Sequence, residues 1–381
     1  MATLLVCAAA AAGCTTSGPE PGRVEPLAVR WQEVTLPVPP GFAGRLAVRD
    51  ATTCAGQWYV VGGVIAAEGA SRPAAWRSAD GIDWTPLTFA PTTFWGAQDV
   101  LYAVGCRDGR IALIGAKSGG AHGNPRVSTW YAREDGVFAD ADASFELYGG
   151  PHAVNVGRIA GGPTGWVIVG NRTAGAAVWT SPDATEFRLI DDDPQLISNP
   201  DVDTVGLDLV FADGWTVVGN GAQTGRVARI PLAWVSADGQ AWRREPVPYP
   251  DEYSDLQRVV PFRDGLLAVG ARGDTFGAWF RAAEGWRSDG RFGSTKGAGS
   301  SFVSGLAVVG SGAVATATDG SVYSMWASLD GHGWRQVATP TAPRSGGDHV
   351  MTVAGSGDAV LLLADDATTG RAWLCRGCQL Q

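Results

Sequence analysis

The chain has 381 residues, including 53 glycines, 22 prolines and 16 tryptophans, with 18% charged residues and a formal net charge of −9. Glycine at about twice its usual share of roughly 7% argues against a helical protein, because a glycine inside a helix costs about 1 kcal/mol relative to alanine, and no three-residue glycine period points to collagen. With 45% hydrophobic residues a large core can be buried, which excludes a disordered chain, and an acidic chain without a basic block excludes nucleic acid as an expected partner.

Taken in chain order, the first feature is a short apolar run from Leu4 to Ala12. It ends in Ala11-Ala12-Gly13-Cys14 and is followed by a stretch of Thr, Ser, Gly and Pro. The run is shorter than the roughly 20 residues that a bilayer-spanning helix needs, and no Lys or Arg precedes Arg23. Small residues ahead of a cysteine resemble a bacterial lipobox. That resemblance implies a signal peptide over 1–14, lipidation of Cys14 and a flexible tether over 15–29. The folded part is then expected over 30–381, exported and held by its lipid at the outer face of the bacterial cell membrane.

Cys7 and Cys14 belong to this leader, which leaves Cys54, Cys106, Cys375 and Cys378. An exported chain permits disulfides, and Cys54–Cys106 with Cys375–Cys378 is a plausible pairing, although spacing alone does not settle connectivity. A zinc site would need a second ligand pair, and none accompanies Cys375 and Cys378.

The rest of the chain is a repeat. Trp76, Trp130, Trp179, Trp234, Trp279, Trp326 and Trp373 recur every 45–55 residues. An apolar, β-branched run bounded by glycine precedes each of them, as in Gly165-Trp166-Val167-Ile168-Val169-Gly170 and Gly214-Trp215-Thr216-Val217-Val218-Gly219. Such runs of four to six residues read as strands. Two residues beyond the Trp lies a turn: Ser78-Ala79-Asp80-Gly81, Ser181-Pro182-Asp183-Ala184, Ser236-Ala237-Asp238-Gly239 and Ser328-Leu329-Asp330-Gly331, with weaker copies at Glu134-Asp135-Gly136 and Glu284-Gly285. Four short strands per unit is the pattern of a β-propeller blade. The last unit, Ala372-Trp373-Leu374, lacks a fourth strand, whereas Trp31-Gln32-Glu33-Val34 matches the fourth strands that begin at Trp242 and Trp334. The expected fold is therefore an all-β, seven-bladed propeller of four-stranded antiparallel blades. An N-terminal strand completes the last blade, so no sheet edge is left open there.

The turns resemble the Asp-box of sialidase-type (BNR-repeat) propellers, Ser-x-Asp-x-Gly-x-x-Trp, with the residue between Asp and Gly missing. The resemblance spans all seven units. It implies a structural role for Ser78, Asp80, Asp183, Ser236, Asp238, Ser328 and Asp330, whose short polar side chains bond nearby backbone. Catalytic sialidases carry six blades, an arginine triad, a Tyr/Glu pair and an acid Asp. Here Arg229-Ile230-Pro231 lies mid-chain and no Tyr/Glu pair can be placed, so no catalytic residue is assigned.

Fold does not dictate function, so a site has to be sought separately. Stepping back eleven residues from the start of each second strand reaches Ala47, Asp99, Asn155, Thr204, Asp255, Phe302 and Asp348, which are expected to ring one mouth of the central channel. Asp99, Asn155, Thr204, Asp255 and Asp348 would offer oxygen ligands to a cation or hydroxyl partners to a sugar. An equally simple reading is that Asp and Asn cap the preceding turns. The loops of the same face hold Phe94-Trp95, His122, Tyr148, His152, Arg226, Arg229, Tyr253, Arg344 and His349. Trp95 is the one Trp outside the repeat and is the natural aromatic platform. No metal site is assigned and no cofactor is required, with calcium at Asp191-Asp192-Asp193 as a further option. The expected function is a monomeric, non-enzymatic module that binds a glycan or a protein outside the cell. The alternatives are a sialidase-like enzyme using the channel mouth and a structural scaffold.

Overall fold

The computed structural model describes residues 24–119, 125–378 and 380. Seven four-stranded antiparallel sheets make up the fold. Strands are lettered a to d outward from the axis. Blade 1 comprises Arg45–Cys54, Gln57–Ile65, Ser71–Ser78 and Thr85–Pro86; blade 2 comprises Val100–Arg107, Arg110–Lys117, Arg126–Ala132 and Phe138–Asp140. Blade 3 comprises Ala153–Gly162, Gly165–Arg172, Gly175–Ser181 and Arg188–Ile190; blade 4 comprises Val202–Phe211, Trp215–Gln223, Arg229–Ser236 and Arg243–Glu245. Blade 5 comprises Arg258–Phe262, Gly265–Arg272, Thr275–Ala282 and Gly285–Phe292; blade 6 comprises Phe302–Val309, Gly312–Thr318, Tyr323–Ser328 and Arg335–Val337. Blade 7 takes His349–Ser356, Ala359–Asp366 and Gly370–Cys375 from the end of the chain and Gln32–Val34 from its start.

The closing strand pairs antiparallel with strand c of blade 7, setting Gln32 against Leu374 and Val34 against Ala372. Strands a touch their neighbours in sequence around the ring, and the last touches the first. Ordered pairing begins before Gln32. Leu27, assigned to the tether from the sequence, is buried and forms a parallel bridge with Val337. Its N–H donates to the Gln336 carbonyl at 2.7 Å, and its own carbonyl accepts from Ala338 N–H at 2.9 Å. The N-terminal segment thus seals blade 6 on its way to completing blade 7.

The core lies between blades, as seven separate hydrophobic clusters rather than one. The repeated tryptophans fill these layers: Trp76, Trp130, Trp179, Trp234 and Trp279 are fully buried and Trp373 nearly so, while Trp326 is half-buried. Their size is only part of the reason for Trp. The indole N–H of Trp76 donates to the Pro37 carbonyl at 2.7 Å, that of Trp179 to Leu147 at 2.8 Å, that of Trp234 to Gln195 at 2.7 Å and that of Trp279 to Pro248 at 3.1 Å. Each bond ties a strand to a connecting segment that would otherwise leave a carbonyl unpaired.

The Ser-x-Asp turns share one geometry. In blade 1, Ser78 Oγ accepts the Gly81 N–H at 2.8 Å, and Asp80 Oδ1 accepts Ile82 N–H and Asp83 N–H, both at 2.9 Å. Blades 4 and 6 repeat it at Ser236/Asp238 and Ser328/Asp330. The glycine takes a left-handed conformation, with φ of 75° at Gly81, 81° at Gly239 and 82° at Gly331. Blade 3 keeps the turn with Ala184 at φ 69°, at a cost of about 1–2 kcal/mol for a residue that carries a Cβ. Disulfides are formed between Cys54 and Cys106, with Cα atoms 5.4 Å apart, and between Cys375 and Cys378, 5.9 Å apart. The first joins the strands a of blades 1 and 2. Cys14 and His122 lie outside the described residues.

Candidate functional site

Two regions hold side chains with the chemistry to bind something: the channel, and a groove on the face where strands b meet strands c. In the channel the register brings to one level the partners of a b-strand position three residues into its apolar run. These are Asp50, Ala103, Arg158, Asp208, Arg258, Gly305 and Thr352. Bulges immediately before Asp50, Ala103, Arg158, Asp208 and Gly305 re-aim the strand at this level. The charges neutralise one another: Arg158 lies 2.6 Å from Asp50, and Asp365 takes Arg49 at 2.5 Å and Arg45 at 3.2 Å. Arg158 and Arg258 both donate to the Ser304 carbonyl, at 3.4 and 3.2 Å. Burial, then the nearby Arg158, lowers Arg258 to about 10. Burial also raises Asp208, against the pull of Arg258 and Arg158. Within this level one ion pair, Arg158–Asp50, forms, and Arg258 is held by the Ser304 and Gln257 carbonyls.

The seven positions reached by stepping back eleven residues are not joined to one another by any hydrogen bond among the described residues. Ala47 is buried and Phe302 half-buried. Asp99 is buried, and its Oδ2 accepts the Trp130 indole N–H at 3.0 Å. Burial pushes Asp99 up to about 8, against that hydrogen bond. Thr204 is buried, donating to the Leu196 carbonyl at 2.5 Å and accepting Ala176 N–H at 3.0 Å. Asp255 is buried and accepts from Ala271 N–H at 2.6 Å, Gln257 Nε2 at 2.9 Å and the Tyr253 hydroxyl at 3.3 Å. Asn155 and Asp348 are exposed; Asn155 accepts from Asn171 Nδ2 at 2.8 Å, and Asp348 lies 3.4 Å from Arg45. His349 Nδ1 bonds the Gly346 carbonyl at 2.7 Å. Arg226 stacks over Tyr249 and lies 2.6 Å from Asp251. The Tyr253–Asp255 contact is a tyrosine–acid pair, but burial and then the Asp255 charge push the phenol up to about 12. Tyr253 is therefore a neutral phenol that donates to Asp255.

The groove lies between blades 2 and 3 and has a volume of about 530 Å³, with an adjoining recess of about 270 Å³. Arg126, Phe145 and Tyr148 line both parts; Tyr102 and Val156 lie in the first and Trp95 in the second. Local structure puts these rings there. The carboxylate of Asp140 holds the segment leading to Trp95, accepting Thr92 N–H at 2.5 Å and Thr93 N–H at 3.1 Å. A short 3₁₀ turn, Gly96–Gln98, follows and leaves Trp95 37% exposed. A one-turn helix, Phe145–Tyr148, presents Phe145 at 55% exposure and buries Tyr148. The Arg126 guanidinium lies 4.3 Å from the centroid of Phe145 and 5.5 Å from that of Trp95. Both tyrosine hydroxyls are engaged elsewhere, Tyr102 with the Val156 carbonyl at 2.8 Å and Tyr148 with Thr129 Oγ1 at 3.2 Å. They therefore offer ring faces to the groove. Trp95 was legible from the sequence as the one Trp outside the repeat. Tyr102, Arg126 and Phe145 were not, because nothing in their spacing marks them.

Acidic clusters do not converge on a metal position: no group of three or more His, Cys, Asp or Glu side chains suited to a metal occurs among the described residues. Asp193, in the run considered for calcium, accepts Gln195 N–H at 2.8 Å and Trp242 N–H at 3.1 Å.

No family model and no curated protein matches the chain. Solved structures do. The β-propeller domain of the Trilobed protease from Pyrococcus furiosus is similar over 87% of this chain and 94% of its own, at 9% identity and a TM-score of 0.50. Pyrococcus horikoshii acylaminoacyl peptidase is similar over 88% of this chain and 52% of its own, at 11% identity and a TM-score of 0.51. Trypanosoma rangeli sialidase in complex with sialic acid is similar over 92% of this chain and 60% of its own, at 10% identity and a TM-score of 0.45. This chain therefore spans about half the length of the peptidase. At these identities the likeness is one of fold, and the chain is a seven-bladed β-propeller.

Proposed function

We propose that this propeller is a non-enzymatic binding module whose site is the groove between blades 2 and 3. Of the two ligand classes open to it, a protein segment suits it better than a glycan. One observation carries this choice: the groove is walled by Trp95, Phe145 and Tyr148, while the hydroxyls of Tyr102 and Tyr148 are already bonded within the protein. Aromatic and aliphatic side chains of a protein bury well against such walls. A peptide array and a glycan array, each probed with the parent and with Phe145→Ala, test it. Peptide binding lost in the variant is expected. Glycan binding that survives Phe145→Ala, or turnover of a sialoside, would overturn it.

The Ser/Asp turns support kinship with Asp-box propellers at the level of fold. Export and lipid anchoring are part of the same reading. They are supported by the Ala11-Ala12-Gly13-Cys14 sequence and by the Cys54–Cys106 disulfide, which suits an oxidising compartment. Cys14→Ala is expected to move the protein from the membrane fraction to the soluble fraction of a host that lipidates. Unchanged membrane association would refute the anchor.

A further inference from the structure

Among the described residues, Arg126 is the one charged residue lining the groove and its recess, in a chain of net charge −9. It contrasts with three of the channel arginines. Arg45, Arg49 and Arg158 each face a carboxylate within 3.4 Å, whereas no carboxylate lies within 4 Å of Arg126 among the described residues. Its Nε is buried without a hydrogen-bond partner. The side chain is held in place by ring faces, Phe145 on one contact and Trp95 on the other. Stacking of this kind orients a guanidinium but leaves its N–H donors in the ring plane unsatisfied. A half-buried cation with no carboxylate within 4 Å among the described residues, set against aromatic rings, is a locus for one anionic group.

We propose that the groove recognises a carboxylate attached directly beside an aromatic or aliphatic side chain, the carboxylate on Arg126 and the side chain between Phe145, Tyr148 and Tyr102. The inference rests on the groove being the binding site. The ligand chemistry has two sources in a protein: the free C-terminus of a chain ending in an apolar residue, or an internal Asp or Glu next to one. The volume of about 530 Å³ matches a segment of two or three residues, within the usual range of about 300–1,000 Å³ for ligand pockets.

The test uses four short peptides: acetyl-Gly-Gly-Phe as free acid, the same peptide as C-terminal amide, acetyl-Gly-Phe-Glu-Gly-amide and acetyl-Gly-Phe-Gln-Gly-amide. Binding to the folded protein is followed by calorimetry and by tryptophan fluorescence. At least a tenfold preference for a carboxylate-bearing peptide over its uncharged partner is expected, and the preferred pair identifies the source. Arg126→Gln should abolish the preference by weakening the charged peptide to the level of the uncharged one. Arg126→Lys should restore part of it, which separates charge from wall packing. Equal binding of charged and uncharged peptides to the parent, lost in Phe145→Ala, would overturn the carboxylate assignment while keeping the groove as the site. Binding unaffected by Phe145→Ala, or no binding of any of the four, would overturn the groove itself.

Discussion

Asp99 and the turn aspartates show how one side-chain type acquires opposite properties from its surroundings. Asp80, Asp238 and Asp330 sit at the surface and are held below the usual carboxylate value chiefly by backbone N–H donors. Asp99 is enclosed between blades, and burial pushes it up to about 8. The signs differ. The turn aspartates add stability that is present above about pH 4 and lost as the pH falls through their lowered folded values. For Asp99 the folded value lies above the unfolded one, near 3.9, so stability falls as the pH rises from about 4 towards 8. Asp99→Asn, which can still accept the Trp130 indole N–H, should therefore gain stability over the parent between pH 5 and pH 9. Urea unfolding midpoints of the two proteins across that range are the measurement, and a difference that does not change with pH would disprove the account. None of this was legible in the sequence, where Asp99, Asp255 and Asp348 looked alike. Their burial depends on which neighbouring blade covers them.

At the scale of elements, much more could be read in advance. A strand announces itself through β-branched residues bounded by glycine, and both features are local. The fourth strand of blade 7 was legible as well, because Trp31-Gln32-Glu33-Val34 repeats the pattern that follows the other turns. The reach of the N-terminal segment was not: Leu27 belongs to no repeat, yet it pairs with blade 6. Val34 and Leu36 are buried in the layer between blades 7 and 1. Removing residues 24–36 would expose the edge at Ala372–Leu374 and open that layer to water. Loss of soluble monomer by size-exclusion chromatography is expected, with aggregation of what remains. A truncated monomer with the parent's melting temperature would show that the closing strand is dispensable.

At the scale of the whole molecule, charge is distributed by role. The excess of acid is spread over the surface turns and loops, Arg45, Arg49 and Arg158 of the channel are matched by Asp50 and Asp365, and Arg126 stands among aromatic rings. The ring architecture makes this possible. Each blade buries one face against each neighbour, so the interfaces form seven similar layers, and one of them can open into a groove without weakening the other six.

By itself the sequence determined the number of blades, their four-strand plan, the turn glycines and the closure by an N-terminal strand. These follow from propensity and periodicity along the chain, which need no knowledge of distant contacts. The tertiary structure alone decided which polar residues are buried and satisfied, which charges cancel in the channel, and where a groove opens. Tyr102, Arg126 and Phe145 come from three segments of chain and line one groove only when blades 2 and 3 pack, because a groove is a property of side chains meeting across an interface.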